Sequence, residues 1–274
     1  MSTVTVAAIQ MVSGTRPAEN IASAQRLVRE AAARGAQWVV LPEYWILMGK
    51  SDRDKLALAE PFGSGSLQST LSELARECGI TLFGGTIPLR STVADKIYNS
   101  LLTFAPDGHC IGRYDKIHLF SYSGVGERYA EADTLTAGEH VSALEIEPWR
   151  VAQGICYDLR FPELFRAQGI CDVLVLPAAF THVTGQAHWE LLLRARAVEN
   201  QCYVIASGQG GTHENGRRTF GHSMVIDPWG EIVACVEEGE GMAMATLDKN
   251  RIGSVRRHLP AVFHQTAILP ELSS

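Results

Sequence analysis

A chain of 274 residues is long enough to bury a large core, and 46% hydrophobic with 20% charged residues is the ordinary make-up of a soluble globular protein. Its 24 Lys and Arg against 30 Asp and Glu leave a formal charge of -6, and no stretch gathers the basic residues into a stripe that tracks a phosphate backbone, which argues against nucleic acid as a partner. No basic region precedes the apolar alternation that begins at Val4, and no apolar run nears the roughly 20 residues that cross a bilayer, so the expectation is a cytoplasmic protein with no membrane partner.

Val4 to Gln10 reads as a strand, and Pro17, tolerated in a first helical turn, opens an Ala-, Arg- and Glu-rich helix that Gly35 stops. Gln37 to Leu41 is a short apolar run closed by Pro42, so Glu43 falls just past the C-terminal end of a strand, where α/β folds tend to hold chemistry. Ser66 to Cys78 is a second helix, followed by a strand from Ile80 to about Ile87. Ile97 to Phe104 and Cys110 to Tyr114 flank the turn Pro106-Asp107-Gly108, a hairpin that leads directly into Lys116. Ser121 to Gly138 shows no period and reads as a long loop of the kind that borders active sites.

In the second half, Ala143 to Glu147 and Val151 to Ile155 read as strands joined by Pro148-Trp149-Arg150, the second delivering Cys156. Phe161 to Gln168 is a short helix, Asp172 to Leu176 a buried strand ended by Pro177, and His188 to Asn200 a helix. Strands follow at Cys202 to Ser207, Phe220 to Ile226, Glu231 to Val236 and Met242 to Leu247, then a short helix beyond Asn250 and an apolar tail from Leu259 to Pro270. Leu27 to Glu43 echoes Leu164 to Ala178, each helix, glycine, strand, Leu-Pro, and Leu102 to Ile111 echoes Met224 to Ile232, each strand, turn, strand. The packing these echoes favour is a four-layer αββα sandwich of two mixed β-sheets, and with no linker between the halves the whole chain, 1–274, reads as one domain.

The cysteines Cys78, Cys110, Cys156, Cys171, Cys202 and Cys235 form no CxxC pair and join no His cluster at metal-ligand spacing, so free thiols and no metal site are expected. Cys156 differs from the rest because it stands between an apolar strand and the charged run Tyr157-Asp158-Leu159-Arg160, a setting for a nucleophile beside backbone N–H groups. Its base is open at this level. The histidines His118, His182, His188, His213 and His222 carry no local signature joining them to Cys156, while a carboxylate such as Glu43, enclosed at its strand end, serves as a base when burial raises its pKa.

Taken together, Leu41-Pro42-Glu43, Tyr114-Asp115-Lys116-Ile117-His118-Leu119-Phe120 and Gly154-Ile155-Cys156-Tyr157-Asp158-Leu159-Arg160-Phe161-Pro162-Glu163 resemble the three signature segments of the nitrilase superfamily of carbon-nitrogen hydrolases. Thr184 to Glu190, Leu193 to Ala197 and Gly221 to Gly230 look most like its Nit branch, which holds the deaminated-glutathione amidases and omega-amidases. The resemblance implies a nitrilase-like αββα sandwich, a homodimer, and a Glu43–Lys116–Cys156 triad with Glu131 as a second glutamate. It also implies hydrolysis of a small-molecule amide, without metal or organic cofactor, through a thioester whose preceding oxyanion is met by Lys116 and the Tyr157 backbone N–H. Tyr44, Phe180 and Thr181, which follow strand ends, and His188 and Trp189, placed at the opening of a helix, are the expected substrate-binding residues. Asp115 stands where many relatives carry Arg, and Ser121 to Arg128 lacks their usual pattern. Asn99 is expected to satisfy backbone rather than take part in catalysis.

Overall fold

Alternation along the first strand, β1 (Thr3–Gln10), divides its side chains between two cores: Val4, Val6 and Ala8 face one, Ala7 and Ile9 the other. A strand covered on both faces reads as a near-continuous apolar run, and the rest of the molecule is arranged to supply those two covers. The structure, a computed structural model, describes residues 2–124, 127–141 and 143–264. After β1 come α1 (Pro17–Ala33), β2 (Trp38–Val40), α2 (Ser66–Cys78), β3 (Thr81–Phe83), β4 (Ile87–Arg90), β5 (Ile97–Phe104), β6 (Cys110–Asp115), β7 (Ser121–Gly124) and β8 (Glu127–Ala130). The second half holds β9 (Leu144–Ile146), β10 (Trp149–Gln153), α3 (Pro162–Ala167), β11 (Val173–Ala178), α4 (His182–Asn200) and β12 (Tyr203–Gly208). It closes with β13 (Gly210–Thr212), β14 (Arg218–Phe220), β15 (Ser223–Ile226), β16 (Ile232–Val236), β17 (Gly241–Asp248) and α5 (Lys249–His258).

One sheet runs in the order β17-β1-β2-β3-β5-β4, with β6 also on β5, and the other in the order β16-β15-β12-β11-β10-β9. In the first, β1, β2 and β3 are parallel; in the second, β10, β11 and β12 are. Each trio meets an antiparallel hairpin on one side, β5–β6 or β15–β16, and a single antiparallel strand on the other, β17 or β9. The two sequence echoes fall on these equivalent elements. Trp38, Val40, Phe83 and Leu101 of one sheet pack against Trp149, Val151 and Val175 of the other, with Trp38 edge-on to Trp149 at 5.9 Å. Leu27 and Val28 of α1 and Leu71 and Leu74 of α2 cover the outer face of the first sheet, while Phe165 of α3 and Trp189 and Leu193 of α4 join the core on the second. The result is the expected αββα sandwich.

Several boundaries differ from the sequence reading. The strand expected from Ile80 to Ile87 is two strands, because Gly85 turns at φ 58° and lies so close to Pro42 that a Cβ there would meet the Pro42 carbonyl oxygen at 2.2 Å. The expected loop from Ser121 to Gly138 contains the β7–β8 hairpin and a 3-10 turn at Glu131–Asp133. Helix α4 begins at His182, six residues ahead of the expected His188, with Thr181 as its N-cap accepting from Thr184 N–H. Its first turn, His182-Val183-Thr184-Gly185, is poor in helix formers, and Gly185 is there because a Cβ would lie 2.2 Å from Phe220 Cβ. β11 runs through Pro177 to Ala178; since β10 pairs only as far as Val175, the missing N–H lies beyond that partner. Phe220 to Ile226 breaks at Gly221 and His222, both at positive φ. Trp149 and Arg150 belong to β10, not to a turn, and β10 ends at Gln153, short of the expected Ile155. The apolar tail is described only to His264, with Val262 buried; the remainder lies outside the described residues.

Candidate active site

Glu43 is held at the end of β2 by its neighbours' backbone: Thr86 N–H donates to the Pro42 carbonyl at 3.3 Å, and Gln209 Nε2 to the Glu43 carbonyl at 3.1 Å. The side chain is fully buried, and its Oε1 accepts from Lys116 Nζ at 2.9 Å and from Asn99 Nδ2 at 2.9 Å. Asn99 sits in mid-β5, so the expectation that it serves only the backbone is corrected: its amide is aimed at the carboxylate. Glu43 Oε2 has no hydrogen-bond partner among the described residues.

Lys116 leaves β6 with its N–H on the Asn99 carbonyl at 3.0 Å and its own carbonyl capped by Gly138 N–H at 2.8 Å. With its side chain 1% exposed, its ammonium bridges two carboxylates, Glu43 Oε1 at 2.9 Å and Glu131 Oε2 at 2.7 Å. Glu131 is fixed in turn by Tyr44 Oη at 2.7 Å and Phe120 N–H at 2.7 Å.

Cys156 opens a 3-10 turn, Cys156–Arg160, directly after the strand segment that leaves β10, and its φ of 49° is a conformation that a residue with a side chain rarely adopts. Such strain persists only where the surroundings enforce it. Here Asp158, fully buried, accepts four bonds: from Ile155 N–H at 3.0 Å and Tyr114 Oη at 2.8 Å on one oxygen, and from His118 N–H at 2.9 Å and His118 Nδ1 at 2.7 Å on the other. Arg196 adds two bonds to the Leu159 carbonyl. The Asp158 bonds tie the turn that carries the thiol to the segment that carries Lys116.

The charges set the resting protonation. Burial raises the Glu43 carboxyl above its ordinary value, Lys116 pulls it back, and Glu131 pushes it up again. Burial works against the Lys116 charge, yet Glu131 and Glu43 hold its pKa well above the ordinary lysine value. The Cys156 thiol is pushed well above its usual range by burial and then by Glu43, against Lys116 and a hydrogen bond from the Ala179 backbone N–H, which lower it. The thiol's interaction with Glu43 favours the ionised carboxyl, the form with a spare oxygen for the thiol proton. The resting site thus holds a neutral thiol and an ammonium beside Glu43, whose carboxyl must be ionised to serve as the base.

The structure brings Glu43, Lys116, Glu131 and Cys156 together. Tyr44 and Thr181 line a cleft that reaches Cys156; Phe180, Thr181 and Tyr157 line a second, smaller one that meets the first at Cys156. His188 is exposed, with Nδ1 3.3 Å from Arg160 Nη1, and Trp189 is buried behind Phe180, its ring 4.7 Å away and its Nε1 on the His222 carbonyl. Neither is among the residues lining these clefts, and both stand in the second turn of α4 rather than at its opening. Of the histidines weighed as a base, His118 is engaged by Asp158 and His213 by the Ser13 carbonyl and Thr219. Sequence reading missed Asp158 and Ala179 as parts of the site.

Residues 5–257 match the family model for carbon-nitrogen hydrolases. The chain is a member of the carbon-nitrogen hydrolase family. It is 39% identical over 267 residues to a deaminated glutathione amidase of Homo sapiens, spanning 95% of this chain and 81% of that protein. It is also 39% identical over 268 residues to the omega-amidase NIT2 of Danio rerio, spanning 95% and 94%. Nit3 of Saccharomyces cerevisiae, from branch 10 of the nitrilase superfamily, superposes with a TM-score of 0.86 at 34% identity over 94% of this chain and 95% of that one. In this hydrolase the αββα sandwich therefore carries a nitrilase-type assembly of cysteine, carboxylates and lysine, an arrangement suited to attack on an amide carbonyl.

Proposed function

We propose that this carbon-nitrogen hydrolase cleaves the amide of a small 2-oxo acid, deaminated glutathione first, giving 2-oxoglutarate and Cys-Gly through a thioester on Cys156. The observation that carries the reading is the buried Lys116 ammonium held between Glu43 and Glu131 beside the Cys156 thiol. Glu43 takes the thiol proton as sulfur bonds to the carbonyl carbon, and the negative charge moving onto oxygen is met by Lys116 and the Tyr157 backbone N–H. Glu43 returns the proton to the departing nitrogen, the C–N bond breaks and the thioester remains. Glu43 then removes a proton from water, which attacks the thioester, and the sulfur leaves as the thiol with that proton. Glu131 touches no reacting atom in this scheme; it positions and charges Lys116.

The second reading is omega-amidase action on 2-oxoglutaramate, favoured by equal identity to a relative of that name. Both substrates carry the same acyl group, so only the leaving amine separates them. An N-carbamoyl amino acid is the third candidate. Side-by-side kinetics reading 2-oxoglutarate decide the matter: kcat/KM is expected to be higher for deaminated glutathione, a preference for 2-oxoglutaramate moves the assignment to omega-amidase, and activity on the carbamoyl compound alone discards both.

The same reading takes the chain as one catalytic domain that works in the cytoplasm as a homodimer. No helix among the described residues is long and apolar enough to cross a membrane. Light scattering that gave the mass of a single chain, 29.9 kDa, at micromolar concentration would count against the dimer.

A further inference from the structure

The larger cleft carries a cation that the hydrolytic chemistry leaves unused. Lys55 projects from a 3-10 helix, Asp52–Leu58, that Ser51 caps, and its side chain is 9% exposed. Its ammonium lies 3.5 Å over the centroid of the Tyr44 ring and 3.6 Å from Asp52 Oδ1, the latter beyond ordinary hydrogen-bond length. Among the described residues no hydrogen bond of ordinary length holds its ammonium, which lines the cleft with N–H donors free to meet a ligand. Asp52 Oδ1 is taken instead by Arg217 Nη1 at 3.0 Å, so at this end of the cleft one carboxylate serves two cations. Burial lowers the Lys55 pKa, and Asp52 and the more distant Glu131 oppose that shift.

Cys156, Ala179, Thr181 and Phe120 wall both clefts, so the thiol stands where they meet. A substrate whose scissile carbonyl lies at Cys156 sends one arm into each. Deaminated glutathione has a carboxylate on both arms: a short 2-oxo acid arm and a longer cysteinylglycine arm. The first cleft runs from Cys156 past Tyr44 to Asp52, Lys55 and Arg217, and the second from Cys156 to Arg160 and Thr184; the longer arm is assigned to the first and the shorter to the second. We infer that Lys55, backed by Arg217, receives the terminal carboxylate of the leaving group and makes the enzyme select a carboxylate-ended amine. This rests on the substrate reading above and goes beyond it by assigning the residues that discriminate. The incoming carboxylate supplies the hydrogen bonds that Lys55 lacks, in a setting where solvent screens them little.

A rival account is that Lys55 only offsets the surplus negative charge of Glu43 and Glu131 over Lys116, which would act on every substrate alike. Deaminated glutathione and the same compound ended in a glycine amide separate the two. With the unaltered enzyme, kcat/KM is expected to favour the carboxylate-ended compound by about 10- to 100-fold. In Lys55→Met that ratio is expected to fall to near one, and in Lys55→Arg to recover in part. Equal turnover of the two compounds by the unaltered enzyme overturns the subsite, and this arm decides even if Lys55→Met does not fold. A Lys55→Met enzyme that loses the same factor on both, with the ratio intact, also overturns it and leaves the charge-balance account. Turnover of neither compound by the unaltered enzyme overturns the substrate reading, and the subsite with it, whereas the two preceding results remove the subsite alone.

Discussion

Two strand ends face each other across the nucleophile, and they are the same motif used differently. Leu41-Pro42-Glu43 follows β2 in one sheet, and Leu176-Pro177-Ala178 closes β11, its equivalent, in the other. The first delivers a buried carboxylate and the second a backbone N–H, that of Ala179, to the thiol. The division extends to the whole site: the first half of the chain supplies the ionic groups Glu43, Lys116 and Glu131 with the Asn99 amide, and the second supplies the strained Cys156 and its backbone surroundings. The comparison teaches that the fold gives two similar platforms, and that chemistry enters where one is loaded with buried charge and the other with a nucleophile held in an unfavourable conformation.

The most damaging way to break this arrangement is to empty the second platform. Cys156→Ala is expected to reduce turnover to background, a loss of about 10⁴-fold or more, with the fold intact by circular dichroism. Measurable turnover in that variant would remove the mechanism. Removing the charge of the first platform comes next: Lys116→Met is expected to lose about 10³-fold in kcat, because it leaves the developing oxyanion with the Tyr157 backbone N–H and no cation in a water-poor site. A rate within a few-fold of the unaltered enzyme would show that the lysine serves only to hold the fold.

How much of this was legible in the sequence follows the same division. Glu43, Lys116 and Cys156 lie in compact motifs whose neighbours in the chain are also their neighbours in space, and the strand-end geometry that places Glu43 is written in Leu-Pro. The sandwich was visible through its echoes, since helix-strand and strand-turn-strand units keep their local signatures. Asn99, Asp158 and Arg217 were not legible, because their significance lies in partners 40 to 165 residues away, and Lys55 was not, because its local partners Asp52 and Tyr44 say nothing of the cleft it lines. The early start of α4 was hidden for a related reason: its first turn is poor in helix formers and is stabilised by the Thr181 cap and by the close approach of Gly185 to Phe220, which propensity does not report.

Smaller effects sharpen the comparison. Because burial holds the Glu43 carboxyl above 4.5, the acid limb of kcat/KM is expected above that pH, with activity lost as pH falls and Glu43 gains the proton that blocks it as a base. Asn99→Ala removes a donor to the ionised carboxylate, so it is expected to lower kcat by about 10-fold and to move that limb to still higher pH; a merely structural role would leave the limb in place. Since burial and the nearby carboxylates push both Cys156 and Lys116 upward, neither is expected to give an alkaline limb below pH 9.0. At the small end, Cys171→Ala and Cys202→Ala, in the core of the second sheet, are expected to cost about 1 kcal/mol of stability by denaturant melting while keeping kcat. A loss of kcat in either would mean that thiols other than Cys156 matter to the reaction.

The central claim is that one acyl group is passed from the amide to Cys156 and then to water, whatever amine has left. Hydroxylamine competes with water for a thioester, so the ratio of 2-oxoglutaryl hydroxamate to 2-oxoglutarate reports the intermediate itself and is independent of which step limits the rate. Deaminated glutathione and 2-oxoglutaramate, each turned over by the unaltered enzyme at one hydroxylamine concentration, are predicted to give the same ratio even though their kcat/KM values differ. Ratios that change with the leaving group would contradict a common thioester and with it the account of the site.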